Sequence, residues 1–131
     1  MGGVFGTLAR YGLDVALAPV DVFHIGFPVP TLLINLSGAA LLGFITAWVE
    51  ESKNPPRWLR PAAGVGFCGA YTTFSTASVE ILLMARNGHA GIALGYLAAS
   101  VVGGLLAVTI TTELVVRIFK KSDPSKGKTT A

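Results

Sequence analysis

The sequence has little charge and almost no cysteine. Charged residues make up 13% of the 131 residues, about half of the roughly 25% that is usual in soluble domains. Residues 30–49, 61–79 and 90–112 contain no charged side chain. Cys68 is the only cysteine, which excludes a disulfide within the chain and a cysteine cluster for a metal. This composition excludes a soluble globular domain, a nucleic-acid-binding protein and a disordered chain, and it indicates an integral membrane protein.

Enzyme motifs are also lacking. The sequence has no glycine-rich phosphate loop ending in Lys-Ser or Lys-Thr, no His or Cys cluster with metal-ligand spacing, and no G-x-S-x-G motif. The residues that can carry a function are then the polar side chains inside apolar segments. Each such polar group needs a hydrogen-bond partner or a water-filled path. We therefore expect no enzyme activity and no catalytic residue.

The apolar segments predict four membrane spans, since a helix needs about 20 mainly apolar residues to cross a bilayer. The predicted spans are residues 2–18, 31–48, 61–84 and 92–112. The loops between them are residues 19–30, 50–60 and 86–91. We expect an all-α membrane domain over residues 1–119 and a disordered basic tail over residues 120–131.

The first span is the weakest because it is short and contains Arg10 and Asp14. Residues 16–18 resemble a signal-peptide cleavage site, but no basic residue precedes the apolar run, so we expect the segment to remain as a span. Arg10 can pair with Asp14 one turn on, or with Glu80 or Glu113 at a helix end. We assign Arg10 and Glu80 a structural role.

The third span is expected to be broken in its middle. Gly64, Gly66 and Gly69 precede the run TTFST at residues 72–76, and glycine and clustered hydroxyl residues are poor helix formers. Non-helical backbone at membrane depth is tolerated only where it is buried in protein or lines a wet cavity. The carbonyl groups of such an unwound segment can coordinate a cation.

Basic residues lie almost entirely on one side of the four predicted spans. The side with the N-terminus, the loop at residues 50–60 and the tail has eight of them, whereas the other side has only Arg86. The eight are Lys53, Arg57, Arg60, Arg117, Lys120, Lys121, Lys126 and Lys128. The positive-inside rule therefore predicts that both termini are cytoplasmic.

Polar side chains recur at helical spacing within the apolar spans. Thr31 and Asn35 are one turn apart on span two, and Tyr96 and Ser100 repeat this spacing on span four. Asn35 has two interpretations, a hydrogen-bonded bridge between helices or an N–H donor into a pore. Four donors on two facing stripes suit an anion that must lose its water. The positively polarised edge of Phe74 can also face an anion, although packing in lipid or core is the alternative for Phe74 alone.

Three segments together resemble the Fluc (CrcB) fluoride channel family. They are GVFGTLARY at residues 3–11, TLLINLSG at residues 31–38 and GFCGAYTTFST at residues 66–76, of which the third is the most specific. The resemblance covers nearly the whole chain in the same order. It implies a four-span protein in the plasma membrane that pairs antiparallel into a dimer with two pores. The implied function is passive fluoride export that relieves fluoride toxicity.

The resemblance also implies roles for individual residues. It assigns the fluoride pore to Asn35, Thr31, Phe74, Ser75, Thr76, Tyr96 and Ser100. It also implies that the backbone carbonyls of Gly69 and Thr72 bind a structural sodium ion on the dimer axis. This assignment agrees with the chemistry of fluoride, because a small and strongly hydrated anion needs dense hydrogen-bond donors to replace its water.

The sequence departs from the family pattern at three positions. Ala77 stands where the pattern has a second aromatic residue, and Gly104 and Val108 stand where the polar track on span four would continue. Alanine has no ring edge and valine has no donor, so a pore that depends on these positions should conduct poorly. Together with the unequal basic charge, this favours one half of a heterodimer with an oppositely oriented paralog, while a homodimer stays open.

Two other functions stay open at this point. The three departures are compatible with a non-conducting partner subunit that only stabilises its mate. A small multidrug/proton antiporter of the four-span type would need a titratable carboxylate deep in the first span. Asp14 is the only candidate there, and it lies near the end of that span.

Overall fold

A computed structural model of the chain describes residues 2–17, 20–22 and 25–122. Within these ranges the chain is mostly helical, as predicted. The elements are α1 (Gly2–Ala16), β1 (Val20–Val22), β2 (Ile25–Phe27), α2 (Val29–Glu51), a π-helix (Arg60–Cys68), α3 (Gly69–Tyr71), α4 (Phe74–Arg86) and α5 (Ala90–Ser122).

Two of these helices, α2 and α5, are each long and apolar enough to cross a membrane. A core helix of a soluble protein also passes this test, but such a helix is mostly buried. Only 22% of the apolar window of α2 and 11% of that of α5 are buried within the chain. Large apolar side chains such as Leu33, Phe44 and Leu105 face outward. This surface supports a membrane protein, because contiguous exposed apolar patches of this kind are rare on soluble monomers.

The predicted loop at residues 19–30 is not wholly irregular, which corrects the prediction. β1 and β2 pair antiparallel, with Asp21 opposite Gly26. Helix α2 then begins at Val29, two residues before the predicted start, and continues to Glu51. The early start is compatible with Pro30, because the first turn of a helix does not use its N–H groups for intrahelical bonds.

Helix α5 is longer than the predicted fourth span and extends to Ser122. The prediction of a disordered tail is therefore wrong for residues 120–122, while residues 123–131 lie outside the described residues. Arg117 pairs with Glu113 one turn earlier at 3.1 Å. Lys120 and Lys121 lie in the last turn, where positive charge interacts favourably with the helix dipole. Both features favour the helical extension over an irregular tail.

The segment predicted as the third span consists of several elements. The π-helix leads directly into α3, which ends at Tyr71. Thr72 and Thr73 are extended, with ψ of 154° and 118° respectively, and α4 begins at Phe74. Two extended residues therefore interrupt the helical path at the run of threonines.

Glycines allow three close approaches between helices. A Cβ on Gly6 would collide with the carbonyl oxygen of Phe67 on the π-helix, and a Cβ on Gly38 would collide with the methyl group of Thr72. A Cβ on Gly43 would lie 2.8 Å from the carbonyl oxygen of Val108. Since α2 packs against both the interruption and α5 through such contacts, it is the central helix of the chain.

We predict that Gly43→Val lowers stability, whereas Gly95→Val is tolerated. The Gly43 variant must displace the backbone of Val108, and overpacking of this kind costs about 1–3 kcal/mol. A Cβ on Gly95 meets nothing within 4 Å, so the same substitution there controls for valine in a helix. Thermal unfolding of the purified variants in detergent, followed by circular dichroism, measures the difference. Equal midpoints for the two variants would contradict the packing described.

Candidate functional site

Asn35 on α2 holds the interrupted backbone at Thr73. Its amide nitrogen Nδ2 donates to the carbonyl oxygen of Thr73 at 3.0 Å, and its Oδ1 accepts from the N–H of Thr73 at 2.8 Å. Asn35 therefore links α2 to the interruption, in agreement with the bridging interpretation, while its role in a pore stays a prediction. An amide nitrogen carries two N–H groups, so this pair of bonds leaves the second one for another acceptor.

Thr73 caps helix α4, a role that the sequence analysis missed. Its hydroxyl accepts from the N–H of Thr76 at 3.2 Å and donates to the Thr76 hydroxyl at 2.9 Å. The Ser75 hydroxyl lies 3.4 Å away. A threonine just before a helical segment is a common N-cap signal, but four of the five residues at positions 72–76 carry a hydroxyl group, so the pattern does not identify which one caps.

These side-chain bonds change what two backbone carbonyls can do. In an unbroken α-helix each N–H binds the carbonyl four residues earlier. The N–H groups of Thr73 and Thr76 instead bind the side chains of Asn35 and Thr73. The carbonyls of Gly69 and Thr72, the predicted sodium ligands, are therefore left without those helical donors.

Glu80 on α4 is the common acceptor for two predicted pore residues. Thr31 donates to Oε1 at 2.6 Å, and Tyr96 donates to Oε2 at 3.0 Å. Tyr96 is 1% exposed, and its ring lies edge-on to Phe27 at a centroid distance of 5.5 Å. The carboxylate thus connects α2, α4 and α5, which agrees with the structural role assigned to Glu80. It also occupies the donors of Thr31 and Tyr96.

The remaining predicted pore residues differ in exposure. Ser75 and Thr76 are exposed in the first turn of α4. The hydroxyl of Ser100 is buried and has no hydrogen-bond partner within the described part of the chain. Phe74 is 87% exposed, so its ring projects away from the chain's own core.

The three departures from the family pattern have different surroundings. Ala77 is 7% exposed and packs with Met84, Ala93 and Tyr96, so a large ring at this position would have to displace that cluster. A Cβ on Gly104 would meet nothing within 4 Å. The backbone of Val108 lies against Gly43. The structure therefore explains the small residue at position 77 but not the glycine at position 104.

The predicted pairing of Arg10 is wrong in all three forms. No described residue forms an ion pair with Arg10, since Glu113 pairs with Arg117 and Glu80 accepts from Thr31 and Tyr96. Asp14, one turn after Arg10, is exposed. A pair of exposed charges gains little in free energy over two hydrated ones, so the spacing alone did not require a contact.

Two cavities lie beside these residues. The first is an open and largely apolar groove of about 590 Å³ between α2, the π-helix and α5, and Gly38, Leu42, Gly64, Gly69 and Thr72 belong to its lining. The second is a more polar cavity of about 290 Å³ between α1, α2 and α4. Its polar lining consists of Asp14, Thr31, Thr76 and Glu80. The interruption therefore has an apolar groove at Gly69 and Thr72 and a polar cavity at Thr76.

Curated relatives match most of the chain. Fluoride-specific ion channel FluC 1 of Mycolicibacterium paratuberculosis (strain ATCC BAA-968 / K-10) is 44% identical over 117 residues, which are 89% of this chain and 86% of the relative. Fluoride-specific ion channel FluC 2 of Geobacillus kaustophilus (strain HTA426) is 44% identical over 107 residues, 82% of this chain and 81% of the relative. Fluoride-specific ion channel FluC of Saccharophagus degradans (strain 2-40 / ATCC 43961 / DSM 17024) is 40% identical over 119 residues, which are 90% of this chain and 86% of the relative.

A family model also matches most of the chain. The model described as CrcB-like protein, Camphor Resistance (CrcB), matches residues 1–112, a range that contains all seven predicted pore residues and both predicted sodium ligands. The three segments that carried the resemblance lie within it. The chain belongs to the CrcB-like family.

Proposed function

We propose that this chain is a subunit of a fluoride-selective channel that lets fluoride leave the cell passively and so relieves fluoride toxicity. The observation that carries the proposal is the likeness, over most of the chain, to relatives named fluoride-specific ion channels. Their names describe channels, so we assign the chain no catalytic residue and no catalytic turnover.

The hydrogen-bond geometry is compatible with an anion path beside the interruption. Asn35 has a second amide N–H, and the hydroxyls of Ser75 and Thr76 are exposed next to it. The buried Ser100 hydroxyl, which lacks a partner among the described residues, supplies a further donor. A pore for a strongly hydrated anion must replace its water with such groups.

A second subunit would complete the pore. The ring of Phe74 is almost fully exposed and can present its positive edge to fluoride only if something else encloses the ion. We propose an antiparallel dimer in which the groove along Gly38, Gly64 and Gly69 receives the second subunit. The small residues there let another backbone approach closely, as is typical of helix interfaces in membranes.

The second subunit is an oppositely oriented paralog in this proposal. Ala77 lies in the chain's own core and Gly104 has no side chain, so the missing aromatic ring and donors would come from the partner. Several relatives carry the numbered names FluC 1 and FluC 2, which is compatible with paired subunits. A homodimer is the alternative, and efflux by the chain alone would favour it.

A sodium ion fits the interruption. The carbonyls of Gly69 and Thr72 have lost their helical donors, and both residues line the groove that would receive the second subunit. Unwound carbonyls of this kind coordinate sodium in broken membrane helices. The ion would hold the interrupted segments of two subunits together on the dimer axis.

The chain resides in the plasma membrane with both termini in the cytoplasm. This orientation rests on the eight basic residues on one side of the spans against Arg86 on the other. The interruption at Thr72 and Thr73 then lies within the membrane, between the two halves of the third span.

The comparisons favour neither alternative, since the relatives are named fluoride-specific ion channels. Ala77 is buried and has no aromatic ring, and Gly104 has no side chain that can donate. The absence of these two groups is compatible with a non-conducting partner subunit. The antiporter alternative is not favoured, because Asp14 is exposed close to the end of α1 rather than deep within it.

We predict that Asn35→Ala lowers fluoride efflux at least a hundredfold, because it removes the pore donor and releases the backbone of Thr73. Liposomes that contain the chain, alone or with its paralog, are loaded with fluoride, and efflux is read with a fluoride electrode. Ser37→Ala is the matched control, because it removes a hydrogen bond of 2.8 Å between α2 and Tyr71 without touching the predicted pore. Unchanged efflux in Asn35→Ala would support the non-conducting subunit. Absence of fluoride efflux, both from the chain alone and from the chain with its paralog, would overturn the fluoride assignment.

We predict that the chain inserts in one orientation. In a Cys68→Ala background, Asn87→Cys and Asn54→Cys place one exposed thiol on each side of the proposed membrane. A membrane-impermeant maleimide applied to intact cells should label only position 87, and both positions after lysis. Similar labelling of both positions in intact cells would indicate insertion in both directions and would favour a homodimer.

A further inference from the structure

The polar cavity of about 290 Å³ opens at one end of the helices. Leu17, which follows α1, and Pro28 and Pro30, at the start of α2, belong to its lining. The other side of the cavity is formed by Thr31, Thr76 and Glu80. Because Thr31 and Thr76 are predicted pore residues, the cavity joins the ends of two helices to the proposed fluoride path.

Two carboxylates lie on opposite sides of this cavity. Glu80 comes from α4 and is held by Thr31 and Tyr96, whereas Asp14 comes from α1 and is exposed. Arg10 lies one turn before Asp14 but forms no ion pair with any described carboxylate. Acidic charge therefore prevails among the described groups that line the cavity.

Contacts lead from the cavity to the interruption. The Thr76 hydroxyl accepts from Thr73, and the backbone of Thr73 is held by Asn35. With both termini in the cytoplasm, this end of α1 faces outward, so a fluoride ion that leaves the cell passes Asp14 after these donors. Hydrogen bonds from Thr31 and Tyr96 compensate the charge of Glu80, but no described residue donates to Asp14.

We infer that Asp14 is a rate-determining residue at the outer mouth of the fluoride path, where its charge raises the energy of the departing fluoride ion. The inference rests on the proposed function and adds to it a residue outside the predicted pore set. A unit charge roughly 7 Å from an anion in water-like surroundings changes its energy by on the order of RT, which is about a threefold change in local concentration. Asp14 thus slows the release of fluoride at the outer mouth without blocking it.

The electrostatic nature of this effect makes it dependent on ionic strength. The Debye length falls from about 30 Å at 0.01 M to about 3 Å at 1 M. A repulsion between an exposed carboxylate and fluoride is therefore present in dilute salt and absent in concentrated salt. A structural role of Asp14 would not show this dependence.

The test compares fluoride efflux of Asp14→Asn and the unmodified chain at low fluoride concentration, in liposomes and in dilute or concentrated salts of an impermeant anion. We expect the variant to be about threefold faster in dilute salt and equal in concentrated salt, because screening removes the repulsion. Asp14→Lys should be faster still in dilute salt. Glu113→Gln is the control for net charge, since Glu113 follows Tyr96 by seventeen residues on α5, about 26 Å along the helix axis.

The outcomes separate this inference from the proposed function. Efflux that is abolished by Asn35→Ala but unchanged in Asp14→Asn would overturn the role of Asp14 and leave the channel intact. An acceleration that persists in concentrated salt, or that Glu113→Gln reproduces, would overturn it as well. Absence of efflux from the chain and from the pair with its paralog would overturn the proposed function, and the inference with it.

Discussion

The backbone at Thr72 and Thr73 leaves the helical conformation in a chain whose surroundings are largely apolar, and its polar groups must find partners there. An unpaired N–H or carbonyl in an apolar environment costs several kcal/mol. Asn35 binds both the N–H and the carbonyl of Thr73, and the Thr73 hydroxyl binds the N–H of Thr76. This arrangement stabilises the interruption, and it leaves the carbonyls of Gly69 and Thr72, the proposed sodium ligands, without their usual helical donors.

A second polar centre lies at Glu80. Its carboxylate accepts from Thr31 and Tyr96 and connects three helices through one side chain. The proposed fluoride path therefore runs beside groups of both signs, with N–H and O–H donors at Asn35, Ser75 and Thr76 and carboxylates toward the cavity. The donors lower the energy of the anion in the path, while the negatively charged carboxylates raise it. The rate of fluoride passage along such a path depends on how far hydrogen bonds compensate the charge of each carboxylate.

Two neighbouring positions on α4 differ sharply in exposure. Phe74 projects from the surface, whereas Ala77, three residues later on α4, packs into the core with Met84 and Tyr96. Residues three apart on a helix lie close in angle but not on the same line, so the difference comes from the neighbours of each. A ring at position 77 would need the room that this cluster fills. In the proposed dimer, the second subunit would enclose the ion beside Phe74 and would lie in the groove beside Gly69.

The sequence by itself indicated the apolar and helical character of the chain and a departure from the helix near the threonines, because composition and apolar run length act locally along the chain. It missed Thr73 as the cap and the acceptor role of Glu80, and it wrongly paired Arg10. It also predicted residues 19–30 and 120–122 as irregular, whereas they contain a hairpin and the end of α5. Only the tertiary structure decided which hydroxyl meets which acceptor, since these contacts join residues 16 to 49 positions apart through helix crossings that spacing does not encode. The physical reason is that periodicity gives the face of a helix, while the packing of one helix on another decides which polar groups on those faces meet.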